Sequence, residues 1–148
     1  EEAITLSQKI GFKLKIVGEG AGYSNIEDKY KRQVEFLGRL TDEEHYKTYA
    51  KAKGFLALAR DEDFGMTVVE AQAAGTPVIA FNGGGFKESV INNETGILVN
   101  EISEESLKEA IRKLEETKWN REILLSNAKK FSRVNFVHQI YLFIKNHA

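Results

Sequence analysis

The sequence predicts an α/β fold, a parallel sheet with helices on both faces. Three observations carry that expectation. Five short apolar segments recur along the 148 residues. Stretches with helix-start and helix-stop signals lie between most of them. The central segments, FLALA at 55–59 and PVIAF at 77–81, are apolar throughout and do not alternate, as expected for strands buried on both faces. The length suits a single domain over 1–148.

In chain order, EEAITLSQK (1–9) reads as the end of a helix that Gly11 stops. FKLKIVG (12–18) is the first strand, and the glycine-rich loop GEGAGY follows it. VEFLG (34–38) is the second strand. Thr41, with Glu44 three residues on, forms a capping box for a helix running through HYKTYAKAK. FLALA is the third strand, and a helix from about Gly65 to Gly75 follows. PVIAF is the fourth strand; Gly83-Gly84-Gly85 then turns the chain into a short helix. GILV (96–99) is the last strand. Ser103 caps the helix SEESLKEAIRKLEE, and further helices fill 119–131 and 134–146.

Composition narrows the function classes. The net charge is −1 and there is no cysteine, so thiolate metal sites and disulfides are out. No basic face suggests nucleic acid, and neither a membrane-length apolar run nor a basic amphipathic stretch suggests a membrane. Cytoplasmic location is the expectation. His45, His138 and His147 lack metal-ligand spacing, and His45 is expected on a solvated helix face. No metal is expected. Ser24, Ser89 and Ser126 lack a nucleophile-elbow context. Trp119, Phe131, Phe136, Val137, Ile140, Tyr141 and Ile144 read as helix packing.

The chemistry concentrates in RDEDFGMTVVEAQAAGTPVIAF (60–81). Glu62 and Glu70 are eight positions apart, about 12 Å along the axis if one helix held both. A helix starting near Gly65 places Glu62 on the preceding loop, so the two acids approach a ligand from different elements. Carboxylates accept hydrogen bonds from sugar and ribose hydroxyls. The helix start between them offers free N–H groups and a positive dipole end to a phosphate. Gly65 removes a side chain where backbone must come close. The segment thus suits a nucleotide sugar. The alternative is that Asp61, Glu62 and Asp63 merely stabilise a helix N-terminus. Glu70 argues against that alternative, because Val68, Val69, Ala71, Ala73 and Ala74 leave its helix almost no polar face, and a lone acid there needs a partner.

KLKIVGEG, VEFLGRLTDEEHYKTYAKAKGFLALA, EDFGMTVVEAQAAGTPVIAF, GGGFKESV and ETGILV together resemble the C-terminal donor-binding domain of retaining glycosyltransferases of the GT-B type, with their Glu-seven-Glu motif. The resemblance implies a Rossmann-like domain, the C-terminal half of a two-domain enzyme. Such an enzyme transfers a hexose, mannose or glucose, from a nucleoside diphosphate sugar with retention and without an obligatory metal or cofactor. By resemblance Glu62 is the catalytic glutamate at the transferred sugar, and Glu70 binds the ribose hydroxyls. Phe64, Gly65, Met66 and Thr67 lie where backbone amides meet sugar and diphosphate. Arg39 and Leu40 lie against the base. Gly18 and Gly20 match a glycine loop, or serve only as a tight turn. Gly83, Gly84 and Gly85 approach the sugar, or only turn the chain. Asp-Phe-Gly resembles mannosyltransferase relatives and points to GDP-mannose; UDP-glucose is the other candidate donor. In the family a central first strand, its diphosphate-clamping loop and an acceptor-binding N-terminal domain precede the matching region. This chain is therefore expected to be a fragment, inactive alone, whose last helix docks on that domain. The rivals are a non-catalytic nucleotide-sugar-binding module, a starch-synthase-like transferase and a sugar-nucleotide epimerase.

Overall fold

A computed structural model describes residues 1–20 and 23–147. The chain runs α1 (Glu2–Ile10), β1 (Lys15–Val17), α2 (Tyr23–Tyr30), β2 (Glu35–Gly38), α3 (Asp42–Lys51), β3 (Phe55–Ala57), α4 (Met66–Ala73), β4 (Val78–Phe81), α5 (Phe86–Ser89), β5 (Gly96–Val99), α6 (Glu104–Glu116), α7 (Arg121–Lys130) and α8 (Arg133–His147). All five anticipated strands are present and every pairing is parallel. They form two sheets where one was expected: β1-β2, and β3-β4-β5. Part of the loop 18–23 lies outside the described residues.

The three-stranded sheet is the buried one. On one face Val78 and Ala80 pack with Ala57 beneath Tyr49, Val68, Ala71 and Phe86, from α3, α4 and α5. On the other, Ile79, Ile97 and Val99 pack beneath Leu6, Leu107, Ala110 and Leu114, from α1 and α6. Alternate residues of β4 therefore serve two cores, which is why that strand is apolar at every position. Buried Val78 and Ile79 each contribute roughly 1.5–3 kcal/mol. The two-stranded sheet has no fully buried strand residue; Tyr23 of α2 packs edge-on against Phe36 of β2, centroids 5.6 Å apart.

Local signals set the helix ends. Gly11 terminates α1 in a left-handed conformation, φ 88°. Both halves of the Thr41/Glu44 capping box form, and the carboxylate of Glu44 is held below its ordinary pKa by the Thr41 backbone and hydroxyl hydrogen bonds. The Ser103 hydroxyl accepts from the Ser106 amide at 3.2 Å. α2 is an element the sequence reading lacks. Its signal is the i, i+3, i+7 spacing of Tyr23, Ile26 and Tyr30, masked by the polar residues between. His45 also differs from expectation: it is half-buried and stacks on Tyr49 at 4.6 Å.

The two sheets are linked through α1. Glu2, at its start, forms an ion pair with Arg60 beyond the C-terminal end of β3, 3.1 Å to each guanidinium nitrogen. From there α1 runs back along the sheet and delivers the chain to β1.

Candidate functional site

Apart from Glu70, which lies in the second turn of α4, each candidate site residue lies between the C-terminal end of a strand and the first turn of the helix that follows. Parallel α/β sheets bind ligands at that edge. Gly18 and Gly20 follow β1, Arg39 and Leu40 follow β2, Glu62 to Thr67 follow β3, and Gly83 to Gly85 follow β4.

The centre of the site is the turn into α4. Gly65 is the N-cap residue, buried, with φ 81°. A β-carbon there would lie 2.6 Å from the Phe86 ring, so both conformation and space require glycine. The Glu62 side chain bends into this turn, and its Oε1 accepts from the Gly65 N–H at 3.1 Å. The alternative of a helix-stabilising acid is thus realised by Glu62, on the same atoms that the ligand reading uses. Asp61 and Asp63 are exposed to either side. The amides of Met66 and Thr67 lie ahead of the intrahelical ladder, which begins with Val68 N–H donating to the Gly65 carbonyl at 3.0 Å.

α4 is buried except for Met66, Thr67, Glu70 and Ala73, a single stripe at i, i+1, i+4 and i+7. Glu70 is therefore exposed, and the argument that burial demands a partner for it does not hold. Its position still counts: it shares the stripe of Met66 and Thr67, about 7 Å along the axis from the Gly65 amide that Glu62 caps. Its charge reaches Tyr49, whose phenol is pushed up to about 12, chiefly by burial and then by Glu70. The buried polar residue of α4 is instead Gln72, fully inaccessible.

The triple glycine is where two loops touch. A β-carbon on Gly84 would lie 2.3 Å from the Glu62 carbonyl oxygen, and one on Gly85 2.3 Å from the Phe64 Cα. The Gly85 N–H donates to the Glu62 carbonyl at 2.8 Å. These glycines let the β4 loop lie against the Glu62 loop. Phe64 turns away from the helix start, its ring edge-on to Phe131 at 5.3 Å.

The loops after β1 and β2 are looser. Gly18 and Gly20 both have φ 134°, with no atom of the described residues within 4 Å of a β-carbon on either, and the Gly18 N–H donates to the Gly38 carbonyl at 2.9 Å. Arg39 is highly exposed and pairs with Glu19 at 3.2 Å; Leu40 is half-buried. The Tyr23 hydroxyl accepts from the Gly38 amide at 3.0 Å, a contact the sequence reading did not find. Arg60, beyond β3, is a further basic group, and its pairing with Glu2 holds its guanidinium above the ordinary pKa. Among the described residues no cluster of three or more metal-ligating side chains forms, and no helix is long and apolar enough to cross a membrane.

Solved structures share this fold. A lipopolysaccharide outer core galactosyltransferase superposes over 99% of this chain and 45% of its own, TM-score 0.79, 15% identical. An Anabaena protein crystallised with UDP-glucose superposes over 97% of this chain and 44% of its own, TM-score 0.74, 22% identical. Both show the GT-B fold. In sequence, an uncharacterized glycosyltransferase of Methanocaldococcus jannaschii is 34% identical over 128 residues, 84% of this chain and 36% of that protein. A glycogen synthase of Mycobacterium tuberculosis is 35% identical over 92 residues, 59% of this chain and 22% of that enzyme. The chain thus spans about a third or less of these two relatives. The model of the glycosyl transferases group 1 family matches residues 2–131, and the chain belongs to that family.

Proposed function

We propose that this chain is the C-terminal, donor-binding domain of a two-domain enzyme that moves a hexose from a nucleoside diphosphate sugar to an acceptor with retention. The observation that carries the proposal is the turn at 62–67. One carboxylate sits at the helix start and a second shares a solvent-facing stripe with the leading residues, Met66 and Thr67. The open amides of those two residues and the dipole suit the diphosphate, whose charge grows as the sugar departs. Glu62 meets the transferred sugar and Glu70 the ribose hydroxyls. Arg39 and Leu40 face the base; Gly18 and Gly84 line the path. The donor is GDP-mannose, favoured by Asp63-Phe64-Gly65, or UDP-glucose, favoured by the Anabaena complex.

The remaining partner is the enzyme's own acceptor-binding domain. α8 supports this. Val134, Phe136, Val137, Tyr141, Phe143 and Ile144 are each more than half exposed, an apolar surface too long for a free monomer. The relatives' extra length supplies a domain to cover it. The chain alone is expected to hold donor weakly and give no turnover.

Amide NMR of the labelled chain with GDP-mannose, UDP-glucose, GDP and UDP tests the donor site. The expected result is selective shifts over residues 62–70 for one nucleotide, lost in Glu70→Ala. A folded chain that shifts with none of the four overturns the reading. Measurable sugar transfer by the chain alone overturns the expected inactivity.

A further inference from the structure

We infer that Asn127 and Gln72 are positioning residues for Glu62, acting from α7 and α4 through α5. This rests on the donor-site reading only for its functional consequence; the mechanical claim stands on the geometry.

α5 is a single turn of four residues, too short to hold itself in place. Yet it is the platform on which the Glu62 turn rests. Gly84 and Gly85 abut the backbone of Glu62 and Phe64, and the Phe86 ring lies beneath Gly65. Something else must fix it. The C-terminal carbonyl of α5, at Ser89, receives two buried side-chain donors: Gln72 Nε2 of α4 at 2.8 Å and Asn127 Nδ2 of α7 at 2.9 Å. Asn127 Nδ2 also donates to Gln72 Oε1 at 2.7 Å. Lys130 Nζ donates to Asn127 Oδ1 at 3.1 Å and so fixes which end of that amide faces inward.

All three core members are shut off from water: Gln72 and Ser89 fully, Asn127 at 3% exposure. The Ser89 hydroxyl donates onward to the Gly85 carbonyl at 3.2 Å. The Gly85 amide in turn donates to the Glu62 carbonyl, and the Glu62 carboxylate caps Gly65. The path from Asn127 to Glu62 is thus continuous, and its α4 member is two residues from Glu70. A buried network of this kind rigidifies when fully satisfied and loosens when one partner is removed. No substrate contact is assigned to Asn127 or Gln72.

The test compares the wild-type chain with Asn127→Leu, which keeps the branched shape and removes both donors, and with Lys130→Met, which changes only an exposed residue and lets the amide turn. Hydrogen exchange is read at Gly65, at Gly85 and at the β4 amides Ile79 and Ala80. Asn127→Leu is expected to speed exchange at Gly65 and Gly85 about tenfold over any change in β4, a local opening. Lys130→Met is expected to give the same pattern at about threefold.

Binding of UDP, UDP-glucose, GDP and GDP-mannose supplies the functional arm. The preference for the sugar nucleotide over its free diphosphate is expected to fall in Asn127→Leu, while free-diphosphate affinity holds. Uniform acceleration of all four amides, or none at Gly65 and Gly85, overturns the inference. So does loss of free diphosphate and sugar nucleotide binding in equal measure. Should Asn127→Leu fail to fold, the Lys130→Met pattern decides alone, and its absence overturns the inference. If the wild-type chain binds none of the nucleotides, the donor-site reading falls while the exchange result still decides the positioning claim.

Discussion

Two glycine-bearing regions flank the proposed donor path, and they are built on opposite principles. After β3 and β4, Gly65, Gly84 and Gly85 are surrounded: any β-carbon would strike backbone or the Phe86 ring. After β1, Gly18 and Gly20 meet no described neighbour and call for glycine through their positive φ. The first region is held by contact. Among the described residues the second is held by its own torsions, two backbone bonds, the Tyr23 hydroxyl and one exposed ion pair. The same residue type therefore marks a rigid wall on the proposed sugar side and an adjustable loop on the proposed base side. This suits the proposed transfer, in which an anomeric carbon has to be oriented closely and a base recognised beside it.

Gly85→Ala is the sharpest way to break this contrast. Gly85 has φ −68°, which alanine adopts freely, so only the contact with Phe64 and Asp63 is tested. Backbone cannot retreat as a flexible side chain does, and the expected loss is about 3 kcal/mol or more. Thermal or urea unfolding measures it. A loss under about 1 kcal/mol would show that the wall yields, in the range of an ordinary surface change.

The rigid side also carries a buried phenol. Tyr49 packs with Val68 and Ala71, and its pKa is raised to about 12 from about 10 in an unfolded chain. A raised phenol favours the neutral form in the folded state. Its contribution is therefore complete below about pH 10 and is lost as pH rises from 10 through 12, on the order of 2 kcal/mol. Chemical denaturation at stepped pH follows it. Glu70→Gln removes the repulsive charge and is expected to lower the Tyr49 pKa slightly, read from ring-labelled tyrosine by NMR. No change would mean that the two groups do not sense each other.

Much of this rigid side was legible in the sequence because each signal was local. Thr41 with Glu44, Ser103, and the apolar runs of β3 and β4 act within a few residues, and the strand count followed. The Glu62–Thr67 turn was legible because a glycine between an acid and an apolar run fixes a helix start. What failed needed contacts distant in sequence. Glu70 and Gln72 both interrupt the apolar run of α4, and only the packing of α7 decides which is buried; it is Gln72. Asn127, 55 residues further on, carries no mark in its own segment. The division into two sheets depends on which strands meet, and apolar content does not encode that. α8 shows the same limit: it is as apolar as a core helix and lies exposed.

The smallest expected effects lie in the open loop, and they sharpen the contrast most economically. Gly20→Ala meets no described neighbour, and its expected cost is the conformational one, about 1 kcal/mol. Arg39→Ala removes an ion pair whose partners are both well over half exposed, and stability should change by less than about 0.5 kcal/mol. Donor binding supplies the discriminating measurement. Arg39→Ala is expected to weaken GDP or UDP and the corresponding sugar nucleotide by the same factor, because Arg39 is proposed to act on the base side alone. A change in sugar preference from Arg39→Ala would mean that the adjustable loop reaches the sugar. The division into a contact-built wall and a torsion-built loop would then fail as a map of what each side recognises.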